Sequence, residues 1–259
     1  MINKDMVNKS FLGTDGKDGQ FAKVLDRYYL CRRESAMVFS DFLDPESTEK
    51  FLRIFKQDRD VQALAFGGFA DAERKIIGFA PAGFDLDGED FPIAALTLRY
   101  NEKFSDPPAH RDYLGAVLGL GLDRAKVGDI CLTRGGAVLF IAADLAGYAA
   151  ANLDKAGRVK LNVTMGAAET PRENGAEIRL TVASLRLDVV TSAAFNISRK
   201  KSAALIEGEK VFINWSLVSN SAKPVAEGDV ITVRGLGRVK FSRLDGKTKK
   251  GRFGLVIIK

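Results

Sequence analysis

The chain has 259 residues, 46% of them hydrophobic, which is enough to bury the cores of two or three compact units and excludes a disordered class. No run of eighteen apolar residues occurs, and the polar stretch Met1 to Gln20 has no apolar signal core, so a membrane span and secretion are not expected and a cytoplasmic protein is. The net charge of +6 is placed unevenly: Ser184 to Lys259 holds 15 Lys/Arg against 6 Asp/Glu, a balance of +9, while the remainder holds 24 against 27, a balance of −3.

In chain order, Phe21, Val24, Leu25, Tyr28 and Tyr29 recur at helical spacing in a segment read as helix from Asp18 to about Phe39, and Phe51, Leu52 and Phe55 repeat the pattern over Glu46 to Phe55. Asp44-Pro45 opens the second helix with a capping side chain and a first-turn proline. Val61 to Phe66 and Ile76 to Phe79 read as strands separated by a Gly67-Gly68 turn, which makes residues 1–88 an α+β unit. The acidic stretch Asp85 to Asp90 is read as its connector. Cys31 and Cys131 lie 100 positions apart without clustered His or Cys, so both are read as buried thiols, and neither a metal nor any other cofactor is expected.

The next segment, residues 89–172, orders its elements as strand Phe91–Arg99, helix Arg111–Leu122, a hairpin of Asp129–Thr133 and Ala137–Ala142 across Gly135-Gly136, helix Ala143–Leu153 and strand Arg158–Val163. This β-α-β-β-α-β order is the split βαβ, ferredoxin-like arrangement, shared by many single-strand RNA binders. The paired strand aromatics of a base-stacking surface are missing, so topology alone assigns no function. Pro171 and the turn Glu173-Asn174-Gly175 then lead to a strand over Glu177 to Val182.

The basic segment, residues 180–259, begins with a helix over Leu185 to Phe195, read as capped by Ser184, with Leu187, Val190 and Ala194 inward and Asn196 at a left-handed exit. Ser198 caps a second helix that Gly208 ends. Arg199, Lys200 and Lys201 crowd the positive end of that helix while Glu207 and Glu209 sit at its negative end, placements that each cost roughly 0.3 to 1 kcal/mol when exposed. Cations in so unfavourable a place point to a ligand of opposite charge, and the unpaired N–H groups of a helix start make that ligand a phosphate. Lys210 to Ile213, Leu217-Val218, Val230 to Arg234, Val239 to Phe241 and Phe253 to Ile258 read as strands, with turns at Asn214-Trp215 and Glu227-Gly228-Asp229, and Lys247-Thr248-Lys249-Lys250 as a basic loop.

Arg186-Leu187-Asp188, Ser198-Arg199 with Ala203 and Leu205-Ile206, Gly208, Val211, Asn214 and Glu227-Gly228-Asp229-Val230-Ile231 together resemble an S4-type RNA-binding domain over about 50 residues. A glycine often follows the asparagine of that pattern, and here Trp215 does. With Phe42-Leu43-Asp44-Pro45, Gly67-Gly68-Phe69 to Lys75, His110 to Gly115, Gly128-Asp129-Ile130 and Arg234-Gly235-Leu236-Gly237-Arg238, the whole chain resembles the YlmH family, a subgroup that Trp215 fits better. The resemblance implies a non-enzymatic factor of ribosome-associated quality control that binds rRNA or tRNA on large ribosomal subunits blocked by peptidyl-tRNA; a link to cell division is a weaker implication. The RNA-facing residues it and the charge pattern suggest are Arg186, Ser198, Arg199, Lys200, Lys201, Ser202, Lys210, Asn214, Trp215, Arg234 and Arg238, with Arg74, Lys75, His110 and Arg111 as secondary contacts. No catalytic residue, metal ligand, small-molecule substrate or membrane partner is expected.

Two other classes compete with this reading. Arg186-Leu187-Asp188 is similar to the catalytic tripeptide of pseudouridine synthases, but it lies inside the binding module and no catalytic body of more than a hundred residues can follow it before Lys259. A protein-interaction scaffold linked to division is the third class. The sole histidine, His110, is read as a helix cap or partner contact rather than a lone base, and Asp71, Glu73, Arg74 and Lys75 as a salt-bridged turn.

Overall fold

The computed structural model describes residues 18–167, 177–248 and 251–259, which divide at position 172/173 into two compact units. The turn expected at Glu173-Asn174-Gly175, the preceding Pro171, and Lys249 and Lys250 of the basic loop lie outside the described residues.

In the first unit, helix α1 (Asp18–Glu34) stops sooner than its apolar spacing suggests, because Ser35 turns left-handed at φ 50° and Val38–Phe39 becomes strand β1. Helix α2 (Pro45–Phe55) starts as expected: the Asp44 carboxylate accepts from the Ser47 N–H at 2.9 Å and Pro45 occupies the first turn. Both helices cover one face of a three-stranded antiparallel sheet of order β1-β3-β2, with β2 (Val61–Phe66) and β3 (Ile76–Pro81) in continuous register. The aromatic core of Phe21, Tyr28, Phe51, Phe55 and Phe79 lies between them. Tyr28 donates its hydroxyl hydrogen to Asp58, which also accepts from Arg32 at 2.9 Å. Burial, with the Asp58 bond, pushes the Tyr28 phenol up to about 12. Burial alone would raise the Asp58 carboxyl, but the bonds from Tyr28, two backbone N–H groups and Arg32 hold it below the usual range.

The split βαβ order is present in full. Strands β4 (Ile93–Arg99), β5 (Val127–Thr133), β6 (Gly136–Ala142) and β9 (Asn162–Met165) form an antiparallel sheet of order β5-β6-β4-β9, with helices α3 (His110–Gly119) and α4 (Ala143–Asn152) packed on Leu96, Leu98, Leu139 and Ile141. The hairpin turn uses Arg134-Gly135, one residue earlier than expected, with Gly135 at φ 74° and Thr133 opposite Gly136. The last strand is broken by Gly157 into a small hairpin, β7 (Lys155–Ala156) and β8 (Val159–Lys160), before β9. Opposite the helices, Thr97, Val138 and Phe140 are buried, and the Phe69 ring stacks on Phe140 with centroids 4.9 Å apart. The face on which a ferredoxin-like RNA binder would stack bases is therefore closed at its centre.

Residues on either side of position 88 share one cluster, Phe42, Ile76, Ala80, Leu86 and Phe91. Within the stretch Asp85 to Asp90, Leu86 is buried while Asp85, Asp87, Glu89 and Asp90 are exposed, and Asp87 caps a short 3-10 turn at Gly88–Asp90. Arg74 crosses between the two sheets and donates to the carbonyl oxygens of Val127 (2.9 Å), Phe42 (3.1 Å) and Arg124 (3.1 Å). Asp129 accepts from the backbone N–H groups of Glu73 and Arg74. Burial, reinforced by Arg124, lowers the Arg74 pKa to about 10, and burial raises that of Asp129 against the pull of Arg74. The turn is tied to the unit's interior through Asp129 and the three carbonyls, and the Arg74 guanidinium is engaged inside the unit rather than presented to a ligand.

Arg74→Ala leaves three partly buried carbonyls without their donor, each worth about 1 kcal/mol or more. We expect the first unit to lose about 3 kcal/mol in urea unfolding, and Arg74→Lys, which cannot spread three bonds from one planar fork, to recover less than half of it.

Candidate nucleic-acid interface

The second unit is a six-stranded antiparallel sheet of order β10-β15-β14-β13-β11-β12, one face of which carries two short helices. Its strands are β10 (Glu177–Val182), β11 (Val211–Ile213), β12 (Ser216–Leu217), β13 (Val230–Val233), β14 (Gly237–Lys247) and β15 (Phe253–Ile258). Strand β14 is longer than expected and passes two register shifts, at Phe241/Arg243 and Leu244/Lys247. Leu187, Val190, Ile206, Val211, Ile231, Val233, Val239 and Leu255 form the core between helices and sheet.

Helix α5 (Leu187–Ala194) starts two residues later than the sequence suggests, with Arg186 and not Ser184 at the cap and no side-chain cap bond. Its first N–H groups are satisfied by main chain instead: Leu187 donates to the Lys223 carbonyl at 2.8 Å and Asp188 to that of Ser221 at 3.1 Å. The exit is as expected. Asn196 is left-handed at φ 50°, and the Asn196 and Ile197 N–H groups close a Schellman turn onto Ala193 and Ser192. Helix α6 (Arg199–Glu207) follows directly on this turn; the Ser198 hydroxyl accepts from the Lys201 N–H at 3.2 Å. Its end is a second Schellman turn, in which Gly208 is right-handed and Glu209 takes the left-handed position at φ 55°.

One buried carboxylate organises the start of both helices. Asp188, 6% exposed, accepts from the Arg186 Nε at 3.0 Å and from an Arg199 terminal nitrogen at 2.7 Å. Burial alone would raise its pKa, but the bonds from Arg199 and Arg186 and their charges hold it below the usual carboxylate range. The two guanidiniums keep about half or more of their side-chain surface exposed, 47% and 63%, so each is oriented by Asp188 while still facing solvent. Lys200 and Lys201 are exposed on the same first turn.

The remaining predicted cations form a second group at the other end of α6. Lys210 is exposed just past the Schellman turn, and its carbonyl accepts from the Arg234 N–H at 2.8 Å. The Arg234 guanidinium lies over the Phe212 ring, 4.8 Å from its centroid. Phe212, Thr232 and Arg238 are cross-strand neighbours at the positions that alternate with the buried Val211, Ile231, Val233 and Val239, so Arg238 belongs to the sheet face turned from the helices. At 1.5 Å per residue the two groups are separated by about 13 Å of helix. The expected residues therefore fall into two groups, one at the start of α6 and one past its end, the second with Phe212 and Arg238 on the sheet face turned from the helices.

Asn214 and Trp215 form the two-residue turn between β11 and β12, both left-handed at φ 47° and 63°. The Asn214 amide donates to Asp229 at 2.8 Å and its oxygen accepts from the Val230 N–H at 2.9 Å, so this side chain ties the hairpin to the 226–230 turn. Trp215 holds, half-exposed, a conformation that glycine adopts freely and a bulky side chain adopts at a cost of about 1 kcal/mol or more. Ser202, expected to face a ligand, is fully buried on the inner face of α6 and cannot reach one. In the first unit Lys75 pairs its backbone with Leu43, and His110 and Arg111 are exposed at the start of α3, where the cap position is Ala109 and not His110. Asp188 as organiser and Phe212 as partner of Arg234 were not anticipated; the Arg-x-Asp spacing at the start of a helix was the available signal.

Residues 185–231 match the S4 domain, residues 17–84 the model described as "YlmH, N-terminal", and residues 87–169 that described as "Putative RNA-binding domain in YlmH". The chain is 35% identical over 228 residues to the ribosome-associated protein quality control protein P2 of Bacillus subtilis (strain 168), an alignment covering 86% of this chain and 88% of that protein. It also superposes on the cell division protein ylmH from Streptococcus pneumoniae with a TM-score of 0.51 and 19% identity, over 60% of this chain and 93% of that one, a likeness of fold.

Two outcomes are expected of this geometry. Trp215→Gly relieves the turn and raises the stability of the second unit by about 1 kcal/mol in urea unfolding, while weakening any ligand that uses the indole. Because the Asp188 pKa is lowered on folding, its stabilisation is complete above about pH 4, the ordinary carboxylate value, and is lost as the pH falls below it. Asp188→Asn should cost about 1 to 2 kcal/mol at neutral pH, allowing for the solvent around both arginines, and should flatten this acid limb when unfolding is followed from about pH 6 to 2.5.

Proposed function

Since the chain belongs to the YlmH family and ends in its S4 module, we propose that it is a non-enzymatic RNA-binding protein that holds rRNA or tRNA on the large ribosomal subunit in ribosome-associated quality control. The observation that carries the reading is the pair of guanidiniums held outward by Asp188, with Lys200 and Lys201 beside them at the start of α6. Three cations at the start of α6, with Arg186 beside them at the start of α5, destabilise the free protein, and a sugar-phosphate chain supplies the charge that offsets them. The second group, Lys210 and Arg234 with Phe212, lies past the other end of α6 and meets a further part of the RNA, and Trp215 at the hairpin tip offers a ring to an unpaired base. The B. subtilis relative, named for ribosome-associated quality control, supplies the biological setting.

A non-enzymatic role agrees with the chemistry of the site. Asp188, the carboxylate between Arg186 and Arg199, is buried and engaged by both, which makes it a scaffold group rather than a nucleophile or base. Among the described residues no helix is long and apolar enough to cross a membrane.

Replacing Arg199, Lys200 and Lys201 together by alanine should weaken binding to ribosomal subunits and tRNA across sequences and flatten the dependence of log K on log salt by about 0.7 to 0.9 for each phosphate that is no longer neutralised. In gradient sedimentation the wild-type protein should travel with large subunits and the triple variant should remain near the top. A folded triple variant with wild-type affinity and slope would remove Arg199, Lys200 and Lys201 from the site.

A further inference from the structure

The closed face of the split βαβ sheet leaves one end of that sheet open. Arg99 at the end of β4, the turn Tyr100-Asn101-Glu102-Lys103, the hairpin turn Arg134-Gly135, and Lys160 to Asn162 line a groove of about 770 Å³. The sheet itself builds it: Arg99 stands opposite both Gly136 of β6 and Asn162 of β9, and the Tyr100 N–H donates to the Gly135 carbonyl at 3.1 Å. The Arg99 guanidinium donates to the Arg134 carbonyl, which pins the hairpin turn. A side chain at Gly136 would strike the Leu98 carbonyl at 1.8 Å, so the strands at this end can close only around glycine.

The lining holds four cations, Arg99, Lys103, Arg134 and Lys160, against one carboxylate, Glu102. Lys103, Arg134 and Lys160 are exposed and form no ion pair with any described residue. Lys160 also stands directly opposite Lys155 in the β7–β8 hairpin, a like-charge pair that costs stability in the free protein. Next to Lys103, in the turn closed by the bond from the Phe104 N–H to the Asn101 carbonyl, the Phe104 ring is 83% exposed, the most exposed large apolar side chain among the described residues. A cationic groove whose lining residue Lys103 is followed directly by a bare aromatic ring has the two elements that an unpaired nucleic-acid strand requires, charge for its phosphates and a flat apolar surface for a base.

We propose that this groove is a second RNA site, which takes an unpaired segment with its backbone along Lys103, Arg134 and Lys160 and a base stacked on Phe104. It extends the RNA-binding reading to a site on the first unit, separate in residues and elements from the S4 module. The sheet end, and not the sheet face, is the RNA-binding surface of this ferredoxin-like fold.

The test uses the full chain and three fluorescent probes: a twelve-nucleotide oligoadenylate, the same oligonucleotide with abasic positions, and a twelve-base-pair RNA duplex. Lys103→Ala/Arg134→Ala/Lys160→Ala should flatten the salt slope for oligoadenylate by about 2, at roughly 0.7 for each single-strand phosphate left without its cation. Phe104→Ala should lower affinity for oligoadenylate about tenfold, leave the slope unchanged and have no effect on the abasic probe. All four positions are at the surface, and circular dichroism checks the fold. If both variants bind oligoadenylate as the wild type does, the site is overturned. If the cation variant loses duplex as strongly as oligoadenylate while Phe104→Ala changes nothing, the unpaired occupant is overturned. The Arg199, Lys200 and Lys201 variant, run in parallel, separates this proposal from the one it rests on: a loss there alone sinks the groove, and a loss in the groove variants alone sinks the S4 assignment.

Discussion

The second unit depends on one carboxylate shared by two guanidiniums. Asp188 sits in the first turn of α5, where the helix dipole favours a negative charge, and reaches across to the first residue of α6. Its backbone N–H is taken by the Ser221 carbonyl and that of Leu187 by Lys223, so the carboxylate is fixed from behind before it bonds to Arg186 and Arg199. Two helices joined by a short turn would otherwise be free to alter their mutual angle. With Asp188 as a common acceptor, the starts of both are locked to one point, and two cations acquire a defined direction without being neutralised.

That arrangement accepts a local loss of stability. Arg199, Lys200 and Lys201 oppose the dipole of α6, and the Asp188 bonds offset the opposition for Arg199 alone. Trp215 repeats the theme at the hairpin, where a glycine would fit the left-handed position without strain. The surrounding framework bears these costs because it is over-determined: two Schellman turns fix the ends of α5 and α6, and Asn214 makes three bonds to the 229–230 backbone and side chain. Strain and misplaced charge at the rim, on a scaffold with a large apolar core, is how a binding surface differs from a merely stable one.

What could be read in the sequence was whatever short-range chemistry decides. Asp44 and Ser198 act as caps, Asn196 as a left-handed exit, and the split βαβ order follows from alternating runs separated by glycine turns. What could not be read was set by partners distant in the chain. Ser184 looks like a cap, but carbonyls from residues 221 and 223 satisfy the N–H groups of α5 and move its start to Leu187. Val38 and Phe39 continue the apolar spacing of α1, yet pairing with β3 draws them into a sheet. Ser202 lies among exposed lysines in sequence and on the buried side of the helix in space, because four residues separate it from Ile206 on the same face. Arg74 reads as a surface cation beside Glu73 and Lys75, and only the folded structure supplies the three carbonyls that engage it.

The same distant partners decide what the first unit can offer a ligand. Arg74 and Asp129 draw the 67–75 segment over the ferredoxin-like sheet, Phe69 covers Phe140, and the centre of the face is lost as a binding surface. Closing that face leaves the strand ends as the part of the sheet where backbone turns and cations still meet solvent, and the sequence distributes its charge accordingly: Lys103, Arg134 and Lys160 come from three separate segments, two turns and the β8 strand, that the fold brings together. A motif along the chain cannot reveal such a set, since no two of its members are near each other in sequence, whereas the cations of α6 are three consecutive residues. One surface is legible because a helix start concentrates it, and the other is hidden because a sheet assembles it.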